Sequence, residues 1–306
     1  MNKTLLAGLI VTIVMLGASF FGQYFAPHDV TEQIEISYHV DDNGESELIV
    51  PPLSPNTSNP FGTDKYGIDM MAKLLAGAKY TIIASITVAL VRIVIGGIIG
   101  LFLGYLSKDK PGRTSKVPIW NVLNGIPIFI IVWMIMIGVT MNPSASPLTM
   151  ALILSVVLAL VGIPSVASTV KEKTLVIREK QFILSAKSIG AGHWTIIRTH
   201  LFPHLKESFL ILFVQEIVLI LGLFGQLAIF NIFVGGTTMY FDPVEYVSRT
   251  NEWSGLIGQA RNNLFIYQWI LVIPLAAYII FILGFHMISI GLEKLYKQKF
   301  SKYSHI

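Results

Sequence analysis

The chain has 306 residues, 53% hydrophobic and 13% charged, with a formal net charge of +4. A soluble domain carries roughly 25% charged residues, so about half the usual charge is missing, and the apolar runs reach the ~18 residues needed to cross a bilayer core. Cysteine is absent, which excludes a disulfide framework, a thiolate zinc site and a cysteine nucleophile.

Six apolar spans are predicted, at about residues 5–25, 80–106, 117–140, 148–169, 208–234 and 268–292. The first outlasts the roughly 7–15 apolar residues of a secretory signal and no clear A-x-A site follows, so it reads as a retained span. Lysine and arginine set the orientation. With the N-terminus inside, Lys3, the loop 107–116, the segment 170–207 and the C-terminal tail hold 16 of the 22 basic residues. Lys65, Lys73, Lys79, Arg249 and Arg261 remain outside, and Arg92 lies within a span. Both termini are therefore expected in the cytoplasm.

Two outside segments are long enough to carry structure. In residues 26–79, an alternating run at 33–40 is followed by Asp41-Asp42-Asn43-Gly44 and a second run at 45–50, a hairpin signal. Pro51, Pro52, Pro55 and Pro60 then predict an extended linker. From Asp64 the pattern turns helical, with Ile68, Met71, Leu74 and Leu75 on one stripe, and predicts an amphipathic helix along the membrane surface before the second span. The other outside segment, 235–267, predicts a short helix around 253–264. Both are equally well read as a solvated cap or as a docking surface for a substrate-delivering protein.

The segment 178–205, REKQFILSAKSIGAGHWTIIRTHLFPHL, is polar and basic between apolar neighbours. A helix is expected over 179–189, with Phe182, Ile183, Ala186 and Ile189 apolar. Gly190 suits the left-handed conformation that ends a helix, Ala191 and Gly192 allow a close turn, and a second helix over 193–201 is expected to stop at Pro203. An ordinary amphipathic loop would satisfy the same pattern.

This segment resembles the EAA loop of ABC-importer permeases, in which E-A-A is followed after three residues by Gly and later by I-x-L-P. Leu184-Ser185-Ala186 occupies the tripeptide, Gly190 the glycine, Pro203 the proline thirteen residues on, and His200 and Phe202 the I and L positions. Within that group it is most similar to the dipeptide/oligopeptide/nickel permeases, through Arg178-Glu179, Phe182-Ile183, Ser185-Ala186 and Ile189-Gly190-Ala191. The stretch 61–69, FGTDKYGID, resembles that family's G-T-D-x-x-G-R-D with Ile68 replacing arginine. Residues 74–79, LLAGAK, resemble L-L-Y-G-A-R, and Glu252-Trp253-Ser254-Gly255 with Gln259-Ala260-Arg261 resembles S-W-G…E-A-R. Departures are Leu184 for the acidic residue, Ile163-Pro164 for W-P, Ser168 for an arginine, and only a weak Gly222-Leu223-Phe224-Gly225 echo of L-S-F-L-G-L-G.

The resemblance implies an all-α membrane protein with six transmembrane helices in the type I ABC-importer (MetI-like) permease fold, to which the outside β-hairpin is an addition. The N-terminal helix (1–25), the outside segment (26–79), a five-helix core (80–292) and a basic tail (293–306) would be its parts. It further implies a subunit of an ATP-driven importer of peptides that is not itself an enzyme. ATP and Mg would be used by two partner ATPase subunits, the chain binding no cofactor or metal. The other implied partners are a second homologous permease, an outside substrate-binding protein and membrane lipid, with no nucleic acid. Phe182, Ile183, Ser185, Ala186, Ile189, Gly190, Ala191 and Pro203 would form the ATPase-coupling loop, with Lys187 and Arg198 at its rim. A P-loop, H-E-x-x-H and G-x-S-x-G are all absent from the sequence. A secondary transporter or a membrane scaffold would also have six spans.

Inside the membrane, ionisable residues are expensive. Arg92 in the second span and Glu216, roughly 15 Å into the fifth by helical rise, lie at similar depth, and an ion pair between them is expected; separate snorkelling is the alternative. His286 is read as a helix-packing residue. Asn121 and Asn124 either line a pathway or bond between helices. Gly96, Gly97, Gly100 and Gly104 favour close helix packing, within the chain or against a second permease.

Overall fold

The computed structural model describes residues 2–24, 26–40, 46–109 and 126–303. Asn121, Asn124, the turn at 41–44 and the basic residues Lys110, Arg113 and Lys116 lie outside the described residues. Helix α1 (Lys3–Phe21) opens the chain. It is followed by strands β1 (Ser37–Val40) and β2 (Ser46–Ile49), paired antiparallel with Ser37 opposite Ile49. Helix α2 runs over Met70–Leu106, and the 13-residue α3 over Ile128–Thr140. Next come α4 (Pro147–Arg178), the short α5 (Gln181–Ser188) and α6 (His193–Ile229). Strands β3 (Thr237–Phe241) and β4 (Val244–Ser248), helix α7 (Trp253–Ala260) and helix α8 (Gln268–Tyr303) complete the order.

Five helices, α1, α2, α4, α6 and α8, are long and apolar enough to cross a membrane. The sixth expected span is represented by α3, and residues 117–125 of it fall outside the described residues. Two boundaries and one hairpin differ from expectation. The stripe at Met71, Leu74 and Leu75 is helical, but as the opening turns of α2 and not as a separate surface helix. Asp69 starts α2 by accepting the Ala72 N–H at 3.1 Å, and the stretch 64–68 is a turn held by Asp64 Oδ1, which accepts the N–H groups of Tyr66 and Ile68. Pro203 does not stop the second loop helix, which continues into the fifth span. A π turn at Ile196–Leu201 widens the helix just before it, and Phe202 N–H bonds the Ile197 carbonyl five residues back, so the proline's missing donor falls where the register has already shifted. The hairpin β3–β4 was not anticipated, although Thr-Thr-Met-Tyr-Phe and Val-Glu-Tyr-Val flank an Asp242-Pro243 turn.

Helices in a bilayer gain little from apolar burial against each other, so close packing relies on small residues. Gly96, Gly100 and Gly104 of α2 face α4 within this chain, and Gly97 faces Phe209 of α6. A Cβ at Gly96 would lie 2.9 Å from Val166, and one at Gly104 would lie 2.8 Å from the Lys171 carbonyl. Helix α1 is seated on α8 in the same way: a Cβ at Gly8 would lie 2.8 Å from the Ile288 backbone, and one at Gly291 would lie 2.6 Å from Leu5.

The buried apolar residues separate into two principal clusters. The larger includes Ile82, Val88 and Ala89 of α2, Leu154 and Leu158 of α4, Val214 to Leu227 of α6 and Phe281 of α8. The smaller includes Ile93 and Leu101 of α2, Val166 and Val170 of α4, Ile183 of α5, and Ile196, Leu201 and Leu205 of α6. The border crosses α2 near Arg92, α4 near Gly162 and α6 a few residues before Glu216.

Candidate functional site: the α5–α6 hairpin and the buried ion pair

Two residues, Glu179 and Lys180, separate α4 from α5. Helix α5 ends in a Schellman motif: the N–H of Gly190 bonds the Lys187 carbonyl and that of Ala191 bonds the Ala186 carbonyl, both at 3.0 Å. Gly190 has φ +84°, and nothing lies within 4 Å of where its Cβ would be. Its requirement for glycine is therefore conformational and not steric. Gly192 then leads directly into α6 at His193.

The faces of α5 divide differently from the sequence expectation. Ile183 is fully buried and Ala186 is 6% exposed, so both seat the hairpin on its own chain and neither offers a surface to a partner. Phe182 is half-buried and stacks on the His204 ring at 4.6 Å. Ile189 is 86% exposed, and Leu184 and Trp194 are exposed as well; the sequence marks Leu184 only as a departure from the tripeptide's acidic residue and does not point to Trp194. Ser185 and Gly190 are exposed, Ala191 is half-buried, and exposed Pro203 lies just past the π turn. Lys187 places its Nζ 5.3 Å from the Tyr105 ring centre at the end of α2, while the Tyr105 hydroxyl hydrogen-bonds His193 Nδ1 at 2.7 Å. Arg198 is exposed.

The second element is the ion pair. Arg92 Nη1 donates to Glu216 Oε2 at 3.0 Å, with both side chains buried. Arg92 Nε and Nη2 donate to the Leu158 carbonyl at 3.0 and 2.7 Å. The guanidinium occupies the space a side chain at Gly162 would take, since a Cβ there would fall on Arg92 Nε and Cζ. Three helices thus meet at one charged layer on the border between the two cores. His286 is exposed on α8 instead of packing between helices.

At the opposite end the motif-bearing residues hold the fold. Lys73 Nζ bonds buried Asp64 Oδ2 at 2.6 Å. Trp253 donates its Nε1–H to the Leu74 carbonyl at 2.8 Å and its N–H to Thr81 Oγ1 at 3.0 Å. Gln259 accepts from Ser248 N–H, and Arg261 donates to the Ile229 carbonyl and to Asn231 Oδ1. Between them is a cleft of about 180 Å³ bordered by Asp64, Tyr66, Glu245, Gln259, Arg261 and Asn263. Lys65 pairs with Glu245 and holds that carboxyl below its ordinary range, and Tyr66 donates to Glu245 at 2.8 Å. Burial, then the hydrogen bond to Glu245, pushes the Tyr66 phenol up. No group of three or more potential metal ligands occurs among the described residues.

The chain is 25% identical over 292 residues to a probable D,D-dipeptide transport system permease protein of Escherichia coli K12, covering 95% of this chain and 86% of that one. It is 26% identical over 289 residues to a glutathione transport system permease protein of Pectobacterium atrosepticum, covering 94% and 84%. A chain of the inward-facing MetNI methionine ABC transporter overlays with a TM-score of 0.44 and 19% identity, over 72% of this chain and 97% of that chain. Residues 93–302, which include α4, the hairpin and α6, match the family described as binding-protein-dependent transport system inner membrane component. That match covers more than half of the sequence, and with five apolar helices long enough to cross a membrane the chain belongs to this family of multi-pass transport permeases.

Proposed function

We propose that the chain is a permease subunit of an ATP-driven importer of peptides, coupled to separate ATPase subunits through the hairpin around Gly190. The carrying observation is the hairpin itself: a helix ended by a left-handed glycine, seated by Ile183 and Ala186, with Leu184, Ile189 and Trp194 turned outward. Peptides are favoured as substrates because the relatives above are named as permeases of a probable D,D-dipeptide and of a glutathione transport system.

In this reading the hairpin and both termini face the cytoplasm, in keeping with the distribution of basic residues. Two ATPase subunits bind and hydrolyse ATP with Mg, and this chain supplies no catalytic group. A second, non-identical permease completes the pathway, and an outside binding protein delivers substrate at the end bearing the two β-hairpins. Ser185, Ile189 and Gly190 are retained from the expected coupling set as surface residues; Leu184 and Trp194 are added.

The test is purification of tagged chain from its native membrane in mild detergent, with identification of co-purifying proteins and an ATPase assay. Recovery of a second permease, P-loop subunits and ATP hydrolysis is expected, with loss of the P-loop subunits in Leu184→Asp and Trp194→Asp variants. A chain recovered alone under several mild conditions, without ATPase activity, refutes the reading.

A further inference from the structure

Arg178 is the last residue of α4, three positions before α5 begins, and its side chain is buried. The guanidinium is aimed at the end of another helix. Nη1 donates to the Gly104 carbonyl at 3.0 Å, to the Tyr105 carbonyl at 3.4 Å and to the Ser107 carbonyl; Nη2 donates to the Asp109 carbonyl at 2.7 Å. Gly104 and Tyr105 belong to the last turn of α2, where carbonyls have no partner within the helix. A cation there also complements the negative end of the helix dipole. Glu179 Oε1 lies 3.2 Å from Arg178 Nη2.

Arg178 does not act alone in joining these elements. Lys171 on α4 pairs with Asp109 at 2.9 Å, and Tyr105 is held by His193 and Lys187 of the hairpin. The smaller core continues the connection, since Ile183, Ile196 and Leu201 pack with Leu101 and Tyr105. That core ends at the Arg92–Glu216 layer, where α2 contains its π turn, Arg92–Gly96. The hairpin, the second half of α4 and the second half of α2 therefore have the connections of a single body, with the buried ion pair at its boundary.

We propose that Arg178 is a positioning residue that locks the end of α2 to the α4–α5 junction, so that displacement of the hairpin is delivered to α2 and reaches the Arg92–Glu216 layer. This rests on reading the hairpin as the ATPase-docking element. A planar fork spanning several carbonyls suits the task, because it fixes direction as well as distance; a lysine would keep the charge and lose the fork.

The experiment uses the complete transporter with its partner subunits and binding protein, reconstituted in lipid. Arg178→Gln is expected to retain ATP hydrolysis while uptake per ATP hydrolysed falls about tenfold, within the usual range of a coupling free energy. Arg178→Lys is expected to restore the yield of assembled complex but not that ratio. An unchanged ratio in Arg178→Gln overturns the proposal, as does a parallel loss of hydrolysis and uptake, which would mark a merely structural role.

Because the chain has no cysteine, spin-label distances provide a readout that does not depend on the Arg178 variants assembling. Labels at Ser188→Cys and Leu106→Cys should keep one distance in the nucleotide-free and nucleotide-trapped states, whereas Ser188→Cys and Leu90→Cys should change. A shift in the first pair overturns the lock while leaving the docking reading intact. No change in either pair means that the hairpin does not move, and the docking reading fails with the proposal.

Discussion

Replacing Glu216 with leucine leaves the Arg92 guanidinium buried with only the Leu158 carbonyl to receive its protons. Replacing Arg92 with leucine instead leaves the Glu216 carboxylate without its cation. Removing one member of a buried pair costs about 3–5 kcal/mol, because the remaining charge is uncompensated, whereas replacing both members with apolar residues is often close to neutral. At roughly 3 °C per kcal/mol, each single variant is expected to unfold about 10 °C below the parent chain. The Arg92→Leu/Glu216→Leu double variant should recover most of that loss. Leu158 then keeps an ordinary helical carbonyl, and Gly162 leaves a gap where the guanidinium was. The assay is size-exclusion chromatography after heating, with uptake measured in parallel. Additive losses in the double variant would refute the pairing argument and imply that each residue serves a separate partner. Restored stability without restored uptake would assign the pair a functional role beyond holding three helices together.

Three further outcomes follow from single positions. Gly162→Ala should cost about as much as losing the pair, roughly 3 kcal/mol, because its Cβ displaces Arg92 from the Leu158 carbonyl; a melting temperature equal to the parent's contradicts this. Gly190→Val should insert normally and lose uptake, since holding a non-glycine residue in the left-handed region costs about 1–2 kcal/mol, while Gly190→Asn should be milder; normal uptake by the valine variant removes Gly190 from the coupling role. Glu252 is fully buried, accepts N–H bonds from Val234 and Ser254 and a hydroxyl bond from Ser254, and is pushed up by burial from 4.5 to about 7. The folded chain therefore holds that proton more tightly than the unfolded chain. The resulting stability, about 3 kcal/mol, is complete below about pH 4.5 and is lost as pH rises through about 7. Melting temperatures across that window should fall in the parent and flatten in Glu252→Gln; an equal slope in both excludes Glu252 as the source.

The sequence by itself determined the class and the register of the main parts. Bilayer thickness demands long apolar runs, and an ordered helix end that needs a left-handed residue shows itself as glycine, so the spans and the Gly190 turn were both legible. The first hairpin was legible because alternation and a turn signal coincide. The second, whose strands meet at Asp242-Pro243, has no Asn-Gly or Asp-Gly turn signal between its runs. Local breakers misled in two places: Pro203 and the polar stretch before residue 80 suggested interruptions, but a π turn and a capped start keep α6 and α2 continuous.

Tertiary structure alone decided which residues face inward and which meet across the bundle. Phe182, Ile183 and Leu184 are consecutive and all apolar, so periodicity cannot say that Ile183 is buried while Leu184 is turned out; the packing of α5 on α4 and α6 does. Arg92 and Glu216 are 124 positions apart. Counting helical rise brings them level, but only the missing side chain at Gly162 and the Leu158 carbonyl on α4 make a place where both charges can be buried together. The Arg178 lock has the same origin. One arginine at a helix end resembles many others in sequence, and its role depends on the unpaired carbonyls of a different helix that folding brings within reach.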